Sequence, residues 1–254
     1  MIWNQVYTIL KNNSLNIIIA LFCLSFLACN ADIYVPTPHQ THLLEEKGDM
    51  RIAGNTGDNG SNLQAAYALS DVIGISIYGT YMNKEGNALI SSSESNSEHF
   101  QNHKYLEGAL VINPYNNDRS HIEFILGYGE GEGEERNETV IDNKIREIYG
   151  YGRYSKYSAL TNLAFKKGDF QVGISPKISY IDFGEVILTG YQVFESDSKE
   201  EWFLERSFFL RFGMDAMKFE FQIGSAQALK EVGFSYDPGY YSLGVQFSFN
   251  TQIN

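Results

Sequence analysis

Five histidines, a set of alternating acids and bases, and two cysteines are the residues with chemical potential in this chain. His39, His42, His99, His103 and His121 form no HxH or HExxH pair, so no transition-metal site is predicted. His39 and His42 fall in an N-terminal segment, where the most they offer is a weak surface metal contact. His121 and Glu123 share one parity. A His–Glu pair suits general-base work, but an interior hydrogen-bonded polar pair is the plainer reading. Glu107, Glu123, Lys177, Glu205, Arg211, Lys218 and Glu220 all fall on polar positions of alternating segments, where opposite charges would pair. GYGEGEGEER at 127–136 lacks the Gly-Lys-Ser/Thr of a phosphate loop and reads as a solvated strand end and loop with at most loose calcium affinity. IYGYGRYSKY at 148–157 mixes Tyr with Arg153 and Lys156, as a carbohydrate or headgroup contact would, or as an interfacial aromatic girdle would. No Ser, His and acid set assembles into a nucleophilic site, and no enzyme or cofactor is predicted.

Cys23 lies inside an N-terminal leader and Cys29 at its cut. Lys11 precedes an apolar run from about Leu15 to Ala28, which fits the core of a secretory signal and is too short for a trusted spanning helix. Ala28-Cys29 resembles the lipobox of bacterial lipoproteins, in which the Cys becomes the acylated N-terminus. Phe26 and Leu27 depart from the usual residues there, and simple cleavage after Ala31 is the alternative. With cleavage before Cys29, residues 1–28 are removed and no other cysteine remains for a disulfide or a metal. Residues 29–47 are then expected as a periplasmic N-terminal segment, 48–250 as the folded domain and 251–254 as a tail.

The elements that would carry the interior charges are strands. Tyr241, Leu243, Val245, Phe247 and Phe249 alternate with Ser242, Gly244, Gln246, Ser248 and Asn250. That run is the clearest, and further alternating runs lie at 73–81, 122–128, 170–180, 204–212 and 219–223, with Arg206 and Phe209 breaking the period in the fourth. Weaker runs lie at about 49–55, 62–70, 103–113 and 156–166. Pro176 should mark a bend or bulge, since it cannot donate to a ladder. About ten strands result (8–12 bounds the count).

One face of these strands is Phe, Tyr, Leu and Ile; the other is Gly, Ser, Gln and single charges. Connectors alternate between long and short: moderate near 56–61, tight at 70–72, long at 84–102, short at 113–120, very long at 130–155, tight at 167–169, long at 184–201, short at 213–217 and long at 226–239. An up-and-down antiparallel transmembrane β-barrel of the outer membrane has this pattern, with short periplasmic turns and longer outer loops. Much of the formal charge of −12 falls in the long connectors. Such a surface is a poor partner for nucleic acid. A lumen of ten strands is narrow and filled by side chains, so a closed or barely conducting barrel is expected.

The stretch from Tyr34 and Pro36 through Leu43 to Asp49, followed by Gln64 to Ala68, resembles the N-terminal region of small outer-membrane β-barrel lipoproteins of Bacteroidota-type bacteria. The likeness covers residues 29–80 and the remainder by pattern only. It implies a fold, an outer-membrane location, the bilayer and N-terminal acyl chains as partners, and no catalytic residues. Asp49 stands where that group has Glu, and Phe249 is followed by NTQIN rather than ending the chain. The expected role is non-enzymatic, structural or surface-binding through acidic outer loops, with an extracellular ligand that the sequence does not identify. A narrow small-solute channel is the second reading. A soluble periplasmic ligand-binding barrel, which needs its aromatic faces turned inward, is the third.

Overall fold

The computed structural model describes residues 32–87, 98–141, 144–189, 200–230 and 234–251. The leader, Cys29 and residues 252–254 lie outside them. Ten strands hydrogen-bond in a closed antiparallel ring. In chain order they are β2 (Asp49–Gly57), β3 (Gly60–Ala68), β4 (Ile73–Asn87), β5 (Glu98–Asn116), β6 (Ser120–Ile141), β7 (Lys144–Lys167), β8 (Phe170–Thr189), β9 (Glu200–Met214), β10 (Met217–Ala228) and β12 (Gly239–Asn250). Two short strands, β1 (Asp32–Tyr34) and β11 (Ser235–Tyr236), pair with each other in parallel. The ring closes where β12 pairs with β2, from Ser242 with Gly57 to Asn250 with Asp49. Closure leaves the ten-stranded sheet without an open edge.

Strand alternation sorts the side chains as the sequence pattern predicts. Leu63, Ile75, Ile77, Leu106, Leu126, Ile174, Leu243 and Phe247 point outward and are exposed. Gln64, Ser76, Glu107, Glu123, Ser175, Lys177, Glu205 and Gln222 point inward and are buried. A soluble carrier would need the opposite sorting, so that reading fails. The outward band is bounded by two aromatic rows. Tyr128, Tyr157, Tyr180 and Trp202 touch in succession across β6 to β9, with ring centroids 5.0, 6.4 and 5.1 Å apart. Phe170, Phe212 and Phe219 do the same across β8 to β10, at 6.4 and 5.5 Å. Phe170 and Tyr180 are ten residues apart on β8, as are Trp202 and Phe212 on β9. Ten residues rise about 33 Å along a strand. At the usual tilt of about 40° this is about 25 Å of height, the thickness of an outer-membrane apolar band.

Several connectors differ from expectation. The region 130–155 is not a long loop: β6 and β7 pair continuously as far as Ile141 with Lys144 and project as a hairpin. Its GYGEGEGEER stretch is therefore strand. Tyr128, Glu130, Glu132 and Glu134 line one face, and Gly127, Gly129, Gly131 and Gly133 face the lumen with Glu135. The moderate first connector is a two-residue turn, Asp58-Asn59. Pro176 causes no bulge. Leu160 with Lys177 and Leu163 with Ile174 keep one register across a gap, so the proline removes ladder bonds to β7 without shifting the strand. The bulges lie at Gly184, opposite Arg153 and Tyr154, and near Pro114. The connections at 69–72, 117–119, 168–169 and 215–216 share one end, the turn end. Those at 58–59, 88–97, 142–143, 190–199 and 229–238 share the other, the loop end.

Phe209 breaks the period because it faces inward. It is fully buried and packs with Leu43 and Ala164, and the guanidinium of Arg211 lies 5.3 Å from its ring centre. Gly173 on the neighbouring strand makes room for it, since a Cβ there would run into the ring. Phe209→Ala is expected to destabilise the barrel by about 3–5 kcal/mol, read as a lower urea midpoint in detergent micelles.

Candidate functional site

The site is the lumen, and its centre is a segment expected elsewhere. Residues 32–47, read from the sequence as periplasmic, run through the barrel as a strap. Ile33 through Leu44 are all buried. His39 and His42, expected at a surface, are 1% and 2% exposed. Between Asp32 and Glu45 the strap carries no Asp, Glu, Lys or Arg. Pro36 and Pro38 bring no N–H into the lumen and hold the chain extended.

The strap crosses three layers. At the loop end, Ile33 and Tyr34 pack among Tyr78, Tyr105, Tyr154, Phe183 and Phe203. Here the glycine row of β6 does its work. A Cβ at Gly131 would stand 2.5 Å from the Tyr154 ring, and one at Gly133 would run into the Ile33 carbonyl. At the turn end, Leu44 packs with Ala66, Ala68, Val111, Ile125 and Leu160. Leu43 sits beside it with φ 54°, a left-handed backbone that a branched residue rarely adopts.

Between these apolar layers lies the polar middle, where the strap from His39 to Leu44 bonds to side chains of the wall. Gln222 grips His39 in both directions: the His39 N–H donates to its Oε1 at 3.0 Å and its Nε2 donates to the His39 carbonyl at 2.9 Å. His39 Nδ1 lies 2.8 Å from the Ser175 carbonyl, and Nε2 lies 3.6 Å from Glu205. Gln40 donates to Glu107 and accepts from Ser76 at 2.8 Å, while Asn162 donates to its carbonyl at 2.9 Å. Thr41 donates to Glu220 at 2.7 Å, and Arg211 donates to the Thr41 carbonyl. Arg51 holds the His42 carbonyl at 2.8 Å, and Glu123 accepts from the Leu44 N–H at 3.2 Å.

Of the predicted interior charges, Glu107, Glu123, Glu205, Arg211 and Glu220 reach the strap directly. Lys177 joins through Glu205, its cross-strand partner at 3.6 Å. Lys218 stands apart near the turn end, 3.7 Å from Asp215. His121 and Glu123 do share the inward face but do not bond. His121 faces Asn116 and Asn113, and Glu123 takes Asn162 at 2.8 Å.

Glu205 is the hub. It accepts from Tyr34 Oη at 3.1 Å and from Ser179, and faces Lys156 at 3.9 Å as well as Lys177 and His39. The Lys156 ammonium also lies 4.5 Å from the Tyr105 ring centre, a cation–π contact, and donates to Tyr34 Oη at 3.3 Å. Lys156, expected in an interfacial or headgroup contact, is buried in the lumen, and Arg51, Asn162, Gln222 and the strap residues other than His39 and His42 were not legible as site residues. The charge-free run from Ile33 to Leu44 and the Gly-x-Gly-x-Gly-x-Gly of β6 are the signals that point to them.

At the turn end a cavity of about 670 Å³ opens between Arg51, Asn117, Gln171, Asp215 and Lys218 and stops at the strap residues Glu45 and Glu46. Burial raises the Glu45 carboxyl. Its bond to Lys166, at 2.6 Å, and the Arg51 charge outweigh this and hold it below its ordinary value. Among the described residues no group of three or more His, Cys, Asp or Glu has the geometry to hold a metal.

No protein-family model matches this sequence, and no curated protein matches it. Solved structures similar to it include the translocator domain of the autotransporter NalP from Neisseria meningitidis, at 10% identity and TM-score 0.46, covering 80% of this chain and 86% of that one. A major outer membrane protein from Thermus thermophilus follows at 9% identity and TM-score 0.40, covering 79% and 98%. Acinetobacter baumannii CarO has 10% identity and TM-score 0.37, covering 83% and 100%. Likeness at this level assigns no function, and the chain's own geometry carries the reading. That geometry defines a closed, ten-stranded antiparallel barrel with an internal strap.

Glu205→Gln leaves Lys156 and Lys177 buried without their shared counter-charge. It is expected to cost about 3–5 kcal/mol. Lys218→Met, beside an exposed acid, should cost less than about 1 kcal/mol. Urea midpoints of the two variants compared with the parent would check the contrast.

Proposed function

We propose that this protein is an outer-membrane β-barrel lipoprotein whose lumen is sealed by its own N-terminal strap and whose role is non-enzymatic. The loop end faces the cell exterior and the turn end the periplasm. The outward apolar band and its two aromatic rows support the bilayer as partner. The resemblance of residues 29–80 to Bacteroidota-type barrel lipoproteins, and the Ala28-Cys29 pair, support acyl chains on Cys29. The strap buried in the lumen is the observation that carries the role. A charge-free segment, buried from Ile33 to Leu44 and bonded to the wall, occupies the lumen and supports a barrel closed to bulk solute, so structural or surface-binding work falls to the loop end. There Glu130, Glu132 and Glu134 extend the acidic surface on the projecting hairpin.

The purified protein should migrate faster on a gel unheated than boiled. It should give no conductance steps in planar bilayers, whereas a variant lacking residues 33–44 should give discrete steps. Steps from the parent protein would defeat the sealed reading, and loss of heat modifiability would defeat the membrane barrel.

One observation favours a second reading, a path for water. Asn55, Asn62, Gln64, Thr80, Ser242 and Gln246 are buried on the wall formed by β2, β3, β4 and β12, and each has a side-chain polar atom with no protein partner. Buried polar atoms require partners, and a file of water supplies them. Proteoliposomes holding the parent protein should then shrink faster under osmotic shock than empty ones, and Gln64→Leu should slow them. Equal rates with and without protein would remove this reading.

A further inference from the structure

The strap has a direction, and the direction bears on which side of the membrane the chain begins. Its C-terminal end is fixed at the turn end. Lys166 holds Glu45, Asn116 donates to the Glu45 carbonyl at 3.2 Å, and the Lys47 N–H donates to Asp71 at 2.9 Å. Gly48, with φ 82°, then turns the chain out of the lumen into β2. Its N-terminal end is fixed at the loop end. The Asp32 N–H donates to Glu135, β1 pairs with β11, and the Asp237 N–H donates to the Tyr34 carbonyl at 3.2 Å. Glu135 lies seven residues beyond Tyr128 of the aromatic row on the same strand, about 23 Å further along it. Asp32 therefore lies past the apolar band on the loop side. From Asp32 to Leu44 an extended chain reaches about 40 Å, enough to cross a band of about 25 Å.

We infer that the polypeptide enters the barrel through its loop end, so that what precedes Asp32, including any acyl group carried by Cys29, lies on the cell-surface side of the membrane. This rests on the outer-membrane reading with loops outward. Covalent geometry alone limits the reach: three residues span at most about 11 Å, whatever their conformation. An acyl anchor on Cys29 would thus enter the outer leaflet beside the loop end, not the inner leaflet. The protein would be a surface lipoprotein that holds its own tether through its own barrel.

The test is epitope accessibility on intact cells. One variant carries an epitope between Asn30 and Ala31, a second between Thr189 and Glu200 at the loop end, and a third at Asp118 in a turn-end connection. Each is first checked for heat-modifiable mobility. Ala31→Cys, labelled by an impermeant maleimide and read against the parent chain, serves if the insertion before the strap fails to fold. The expected result is full signal on intact cells from the first two positions, with signal from Asp118 only after permeabilisation. Signal before the strap that appears only on permeabilisation, with the loop-end epitope open, overturns the inference and leaves the membrane barrel standing. An open Asp118 epitope with a closed loop-end epitope inverts the barrel and overturns both. Recovery of all variants in the soluble fraction removes the membrane reading and the inference with it.

Discussion

A backbone that crosses the inside of a barrel needs a partner for each of its polar groups, and this one constraint organises the rest of the structure. Water is scarce in a lumen of ten strands, so an unpaired amide or carbonyl costs about 1–3 kcal/mol. The wall meets the demand with side chains placed by strand alternation. Gln222 answers both groups of His39, Asn162 and Arg211 take the carbonyls of Gln40 and Thr41, and Glu123 takes the amide of Leu44. The charges among these residues impose a second demand, because a buried ion without its counter-ion is destabilising. Glu205 meets it by standing between Lys156 and Lys177, and Glu220 by pairing with Arg211. From Ile33 to Leu44 the strap carries no Asp, Glu, Lys or Arg, so the wall settles its charges largely within itself and offers the strap hydrogen bonds.

The polar middle is closed at both ends by apolar packing. Aromatic rings around Ile33 and Tyr34 cap it on one side, and Leu43 and Leu44 with small aliphatic residues cap it on the other. This arrangement keeps water from competing for the central bonds, which strengthens them in the lower dielectric. The glycine row on β6 follows from the same need. The loop-end cap contains several rings and two strap residues in a narrow cross-section, and a Cβ at Gly131 or Gly133 would occupy their space.

The outward side of the fold was legible because a period of two is a local signal. Strand number, the sorting of faces and the interior place of Glu107, Glu123, Lys177, Glu205, Arg211, Lys218 and Glu220 all follow from it. The strap was not legible because it has no period. It is neither strand nor helix along most of its length, and its burial depends on partners up to 204 residues away, such as Gln246 with the His42 carbonyl. The β6–β7 hairpin was misread for a related reason. Alternating Gly and Glu looks like solvated loop when the partner strand is unknown. Paired in register with 149–158, residues 127–136 become a wall whose glycines make room. Phe209 looked like an error in the pattern and is the point where the wall packs against Leu43.

Chain order fits the strap to its place without threading. The strap runs directly into β2, and β2 is one side of the closing seam. Its other side, β12, is the last strand of the barrel. Most wall residues that bind the strap lie on strands from β4 to β10, while Arg51 of β2 and Gln246 of β12 take the His42 carbonyl from the two sides of the seam. A strap laid against that open sheet is enclosed when β12 pairs with β2. The alternative is to push a segment with two prolines and a crowded Leu43 through a finished pore. Closing last around the strap needs only the antiparallel pairing already required at the seam, and it leaves Gly48 as the single reversal between the lumen and the wall.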